Sequence, residues 1–373
     1  MRTDDPQGPG DARPGPPRGR QKAWGGPALS GDDPPGPGDA HPQRWRGALA
    51  LVAALGLAAG FSAPAAAFTV FACEPEWAAL TRELLPQARL HVATHARQDP
   101  HHIEARPALI AQLRSADLAV CTGAGLEEGW LPMLQQRAGN PRVQEGAPGL
   151  LLAAEQVKLI DARPGQLRQP FAGDIHPEGN PHVHADPHRL LEVARALARR
   201  LAQLEPAEAA AIDGRFNAFE RDWRRCIADW ERRAAPLKGR AVVVQHASFA
   251  YLWNWLGLRP LADLEPKPGL APSPGHLQSL LTTLRAQPSQ AVPAVVAVVV
   301  AQHQDARAGR WLVDQLGTAL PLLQLPATVT DEAAADALGR WYEQLLQALL
   351  SSVPPGPGPA SPAAGPAASN PGR

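Results

Sequence analysis

Imidazole is concentrated in one stretch of this chain. Four of the twelve histidines, His176, His182, His184 and His188, lie in and around Asn180-Pro181-His182-Val183-His184-Ala185-Asp186-Pro187. Folding gives a loop no reason to gather such side chains, and neutral imidazole is the commonest metal ligand. Two more histidines sit in comparable settings: His101 in Gln98-Asp99-Pro100-His101-His102, and His246 after the apolar run Val242-Val243-Val244 and Gln245. Three imidazoles converging from separate loops suit a borderline-soft divalent ion. Zn²⁺ takes nitrogen ligands in a tetrahedron at ~2.0–2.1 Å. Imidazole also suits Cu²⁺ and Ni²⁺, whereas Mn²⁺ and Mg²⁺ call for more oxygen.

Three histidines and a water also make a catalytic zinc site. A secreted three-histidine zinc hydrolase is therefore the competing reading. The chain has no His-Glu-x-x-His and no Gly-x-Ser-x-Gly, the local signatures of the zinc proteases and the serine hydrolases. The turn Gly123-Ala124-Gly125 lacks the third glycine of a dinucleotide loop and the lysine of a phosphate loop. The 36 acidic and 36 basic side chains cancel, which gives no support for nucleic-acid binding. No enzymatic activity is expected.

The elements that must hold these histidines alternate along the chain. Strands are expected over 68–73, 88–93 and 117–121, with helices over 76–85, from Pro107, and over 130–136. A helix is expected from Asp186-Pro187 to about Leu204, with Asp186 as its cap and proline in its first turn. A longer one follows over 206–235, with Phe216, Phe219, Trp223, Ile227 and Trp230 at helical spacing. The pattern then restarts, with strands over 240–245, 294–301 and 320–325 and helices over 249–256, 274–286, 308–316 and 332–350. Alternating strands and helices imply parallel sheets, whose ligands bind beyond the carboxyl ends of the strands. His101 and His246 both follow strands. The expected fold is thus α/β, with two parallel-sheet lobes joined by one long rigid helix and a metal site in the cleft between them. The lobes are 68–205 and 239–350, and the connection is 206–238.

Residues 1–43 are rich in proline and glycine and read as a disordered or misassigned extension; residues 351–373 read as a disordered tail. Residues 44–67 read as a signal peptide. They hold a basic flank (Arg44-Trp45-Arg46), a short apolar run and a small-residue site ending at Ala67. The mature chain would begin at Phe68, in the periplasm. Oxidising conditions there permit disulfides. Cys73 and Cys121 each end an expected strand, and first and third strands are commonly neighbours in doubly wound sheets. They are expected to pair, leaving Cys226 free.

Several ordered motifs carry a resemblance. They are Asp99-Pro100-His101 followed by Pro107, Gly125-Leu126-Glu127-Glu128-Gly129-Trp130-Leu131, Asn180-Pro181-His182-Val183-His184-Ala185-Asp186-Pro187, Ala235-Pro236-Leu237-Lys238-Gly239, and Gln245-His246-Ala247-Ser248-Phe249. Together they resemble the periplasmic zinc- and manganese-binding proteins of metal-ion ABC transporters, from about Phe68 to Leu350. The resemblance implies a two-lobed, non-enzymatic solute-binding protein. It would act as a monomer and deliver its ion to a membrane permease with its ATPase. It implies His101, His182 and His246 as ligands. The histidine at the third position favours Zn²⁺ over Mn²⁺. A metal-storage or adhesion protein of similar fold is a further alternative.

Two departures from the family pattern matter. His184 stands where tryptophan is frequent; like His102 it could neighbour the ligands, alternate with them or be a solvent contact, and solvent contact is the favoured reading. The segment Leu323-Gln324-Leu325-Pro326-Ala327 has no carboxylate where relatives carry a ligand aspartate. Water is then expected as the fourth ligand, with Asp305 as the protein alternative and Glu74 and Glu76 as more distant ones. The competing role for Asp305 is a helix cap. Of the long histidine- and acid-rich loop of many zinc members, only the short segment from Asp174 to His184 could serve as a scavenging flap.

Overall fold

The computed structural model describes residues 67–163, 174–286, 295–317 and 320–353. The expected N-terminal extension, all of the signal segment but Ala67, and most of the C-terminal tail lie outside the described residues. No described helix is long and apolar enough to cross a membrane.

The first half of the chain builds β1 (Thr69–Ala72), α1 (Pro75–Leu84), β2 (Arg89–Val92), α2 (Pro107–Ser115), β3 (Leu118–Cys121), α3 (Leu131–Ala138) and β4 (Leu150–Leu152). α4 (Pro187–Leu204) and α5 (Ala209–Ala234) follow. The second half builds β5 (Ala241–Val244), α6 (Ala250–Leu256), β6 (Arg259–Asp263), α7 (Pro274–Ala286), β7 (Val295–Ala301), α8 (Arg307–Leu316), β8 (Leu322–Leu325) and α9 (Ala337–Ser351). The sheets run β2-β1-β3-β4 and β6-β5-β7-β8, with every pairing parallel. One strand order thus occurs twice.

The sequence explains these elements. β1, β3 and β5 are buried along their whole length. They read as continuous apolar runs because helices cover both faces of a parallel sheet. Proline opens α1, α2 and α4, where its missing N–H has no partner to lose. The Asp186 side chain accepts the His188 N–H and so caps α4.

Two strands and one boundary differ from expectation. β4 and β6 are both edge strands that the sequence pattern conceals. β4 has only three residues. β6 contains Pro260, which an edge strand tolerates because one side of it needs no ladder donor. The last helix starts at Ala337 and not near Glu332: the chain turns first, and Asp336 takes a left-handed φ of 52°.

A single apolar cluster spans both halves, with Trp77 and Leu190 in the same body as Trp223, Trp253 and Tyr342. Trp230 stacks on Tyr342 at 5.1 Å, and Trp223 donates its indole N–H to the Pro187 carbonyl at 2.9 Å. α5 therefore packs on both α4 and α9. Cys73 and Cys121 form a disulfide with Cα atoms 4.8 Å apart, and Cys226 is free and exposed. The β1–β3 register pairs Ala72 with Val120, which sets the next residue of each strand side by side.

Candidate metal centre

His101 lies in the loop between β2 and α2. His182 precedes a 3-10 turn at Val183–Ala185 that leads into α4, and His246 precedes a second such turn at Ala247–Phe249 that leads into α6. All three rings are buried, at 8, 5 and 7% exposure. Each offers a donor nitrogen, and the three atoms lie within 4.8 Å of one another. The ring centroid of His101 stands 5.8 Å from those of both His182 and His246. The structure thus brings together the three histidines that the sequence singles out.

What stands behind each ring decides which nitrogen faces inward. His101 Nδ1 is 2.7 Å from Asp99 Oδ1, and His246 Nδ1 is 2.9 Å from Glu265 Oε2. A ring nitrogen against a carboxylate carries the proton, which leaves Nε2 with its lone pair for the centre. Such carboxylate partners fix tautomer and orientation and raise ligand basicity. His182 has its backbone N–H held by the Asn180 side chain at 2.9 Å, while its buried Nε2 has no hydrogen-bond partner. A buried polar atom without a partner is costly, and a cation is the partner that an imidazole lone pair fits.

The electrostatics agree. Burial, then the charges His101 and His246 would carry, hold His182 well below its usual pKa, so the ring stays neutral. Burial lowers His246, but the hydrogen bond and charge of Glu265, together with the charges of Asp174 and Asp99, reverse this and the net shift is upward. Burial raises Asp99, yet the hydrogen bond and charge of His101 reverse this and hold the carboxyl below the usual range.

The remaining candidates fall elsewhere. Asp305 is exposed; it accepts the Arg307 backbone N–H at 2.9 Å and pairs with the Arg307 guanidinium. It lines the mouth of the cleft, a cavity of about 580 Å³ shared with His102, Asp174 and His303, but it is not in the three-nitrogen cluster. Its alternative role in the turn before α8 is the one the geometry displays. Glu74 accepts from Thr122 Oγ1 at 2.8 Å, and Glu76 pairs with His184 and Thr328. Neither belongs to the cluster.

His184 corrects the reading as a solvent contact. It is 3% exposed, its Nε2 donates to the Ala327 carbonyl at 2.8 Å, and its Nδ1 is 3.0 Å from Glu76 Oε1. The segment without an aspartate therefore supplies a carbonyl to this ring instead. His102 is exposed, as expected, with Nε2 4.0 Å from Asp174 Oδ1.

Two residues beside the site were not among those the sequence singled out. Glu265 and Asp99 hold the outer nitrogens of ligand candidates. Asp99 lies two residues from His101, a spacing that could have signalled its role; Glu265 follows β6, the strand that proline conceals. His176, one of the four clustered histidines, also stands beside the site, with its Nε2 3.2 Å from His101 Nε2.

Known proteins resemble this chain in sequence and in fold. Residues 70–352 match the family described as ZnuA, zinc-uptake complex component A, periplasmic. A high-affinity zinc uptake system protein ZnuA from Yersinia pestis is 26% identical over 240 residues, covering 60% of this chain and 74% of that protein. The fold is similar to that of the periplasmic zinc-binding protein TroA from Treponema pallidum, with a TM-score of 0.61 at 17% identity, over 77% of this chain and 99% of TroA. It is also similar to the solute-binding protein FpvC from Pseudomonas aeruginosa in complex with Mn²⁺, with a TM-score of 0.60 at 20% identity, over 77% of this chain and 99% of FpvC.

Proposed function

Because the chain belongs to the periplasmic zinc-uptake component A family, whose members are solute-binding transport proteins, we propose that it captures one Zn²⁺ and delivers it to the permease and ATPase of an ABC importer. His101, His182 and His246 are the ligands in this reading, and the protein works as a monomer without catalysing a reaction. The two lobes, 68–205 and 239–350, face each other across the ion, with 206–238 as a stiff connection. Export depends on residues 44–67, with the mature chain starting at Phe68.

The observation that carries the proposal is the convergence of three buried imidazole nitrogens, one of them without any other partner. Nitrogen donors favour Zn²⁺ over Mn²⁺, both by ligand type and by the general order of divalent affinities. Asp99 and Glu265 lie behind two of the rings and place two negative charges against the charge of the ion. A hydrolase would need a base aimed at the bound water, and these two carboxylates are turned toward the rings.

Protein purified from the periplasm is expected to hold one zinc per chain, to prefer Zn²⁺ in competition with Mn²⁺, and to begin at Phe68 by N-terminal sequencing. Each of His101→Ala, His182→Ala and His246→Ala should weaken zinc by at least ~100-fold, about 2.7 kcal/mol. Wild-type affinity in any two of these variants would refute the assignment. Zinc transport into vesicles carrying the cognate permease and ATPase tests delivery; uptake that is the same with and without this protein would count against it.

A further inference from the structure

Asn180 is buried, and each of its polar groups has a partner. Its backbone N–H donates to the Ile160 carbonyl at 2.8 Å, and its carbonyl accepts the Tyr251 hydroxyl at 2.8 Å. The same hydroxyl accepts the Ile160 N–H at 3.2 Å. The side chain faces two ways. Oδ1 accepts the His182 N–H at 2.9 Å, and Nδ2 donates to the Ala247 carbonyl at 2.9 Å. The partners settle which end is which, because an N–H can only donate and a carbonyl can only accept. One amide thus touches the residue carrying the second ring and the residue next to the third, 67 positions apart in the chain.

The packing around these loops follows the same division. Val183 and Ala185, beside His182, share one apolar cluster with Phe249 and Tyr251, beyond His246. Ile103, beyond His101, belongs to a separate cluster with Trp130, whose indole N–H donates to the Pro100 carbonyl at 2.8 Å. The loops of His182 and His246 are therefore built on one core and tied by one side chain. The loop of His101 is built on another core.

We propose that Asn180 is a positioning residue that joins the loops of His182 and His246 into one rigid pair, with the two rings at fixed spacing before the ion arrives. Only His101 then has to be brought to the pair. This rests on the reading of the three histidines as a divalent-metal centre. Ligands ordered in advance spare the ion the cost of ordering them, so the bridge appears as affinity. Asparagine suits the task because it carries an acceptor and a donor on one short side chain. Aspartate would set an acceptor against the Ala247 carbonyl.

Asn180→Ser separates the bridge from the local turn. Its hydroxyl can still accept the His182 N–H, as serine does in such turns, but it is too short to span to Ala247. In competitive Zn²⁺ titration it is expected to lose ~10-fold in affinity, the lower end of what outer partners of ligands contribute. The loss should recur in a His101→Ala background, where the tied pair alone remains. In a His246→Ala background it should shrink to within ~2-fold, because the bridge then holds a loop without a ring. Tyr251→Phe, which frees the Asn180 carbonyl, should show the same dependence on background and reads the bridge if Asn180→Ser does not fold. In the metal-free protein, amide exchange over 246–249 should quicken in Asn180→Ser while that over 99–103 is unchanged. An equal loss in all three backgrounds, no loss in the wild-type background, or equal quickening of both segments would overturn the proposal while leaving the three-histidine site standing. Wild-type zinc affinity in His182→Ala would instead remove the reading on which it rests.

Discussion

Glu265 Oε2 lies 2.9 Å from His246 Nδ1 and 2.8 Å from the Gly269 backbone nitrogen, so one oxygen atom fixes a ring and the loop beside it. Neutralising it should release both. Glu265→Gln is expected to weaken zinc binding by ~10–100-fold, the usual effect of losing such an outer partner. Isothermal titration with a competing chelator measures it. Affinity within ~3-fold of the wild type would show that the carboxylate contributes little beyond packing.

His184 and Glu76 form a second buried pair, with Nδ1 and Oε1 at 3.0 Å. Removing the ring leaves Glu76 and the Ala327 carbonyl without this partner. His184→Ala should lower the stability of the metal-free protein by ~1–3 kcal/mol. Urea denaturation reads the loss. A variant as stable as the wild type would mean that water replaces the ring at no net cost.

The Cys73–Cys121 disulfide closes a loop with a sequence separation of 48. On the chain-entropy account, breaking a link of that span costs ~4 kcal/mol. Reductant should therefore lower the thermal midpoint. Thiol counting on unfolded protein should find one reactive thiol before reduction, from Cys226, and three after it. Three thiols without reductant would contradict the pairing.

Glu74 and Glu127 give a pH signature. Burial, then the charges of Glu127 and Glu76, raise Glu74 well above the usual carboxyl range. Burial pushes Glu127 up to about 7 although the N–H groups of Gly123 and Thr122 favour its charge. A carboxyl raised in the folded state stabilises fully below its unfolded pKa of ~4.3 and loses that contribution as pH rises through the folded value. Glu74→Gln removes the group that resists ionisation and keeps a donor toward Glu127. Its stability relative to the wild type should grow as pH rises above ~4.3, by ~1.4 kcal/mol per pH unit at most, and level off once Glu74 ionises in the folded protein. Guanidinium melts across that range measure the difference. A flat difference would mean that the pair does not hold a proton in the folded protein.

The sequence disclosed most where chemistry and periodicity coincide. β1, β3, β5 and β7 are apolar runs, and the loops that follow β2 and β5 carry His101 and His246, so both lobes and three ring positions were legible. Edge strands were not, because β4 is too short for a pattern and β6 holds a proline. Nor was the partner of His176, whose Nδ1 meets the carbonyl of Ala124, 52 residues away, because no local signal encodes that pairing. Asp305 shows what position alone leaves open: it follows β7 at a carboxyl end, and the structure pairs it with Arg307, two residues on.

The three central rings belong to loops far apart along the chain, and this has a consequence for the lifetime of the protein. An ion that joins them acts as a removable cross-link, which holds the loops together only while it is bound. The loaded form gains stability with free metal, whereas the empty form keeps only its intrinsic resistance to opening. Local opening exposes backbone to proteases. Empty carriers would therefore be degraded sooner than full ones, and the standing amount of the carrier would follow the supply of its cargo.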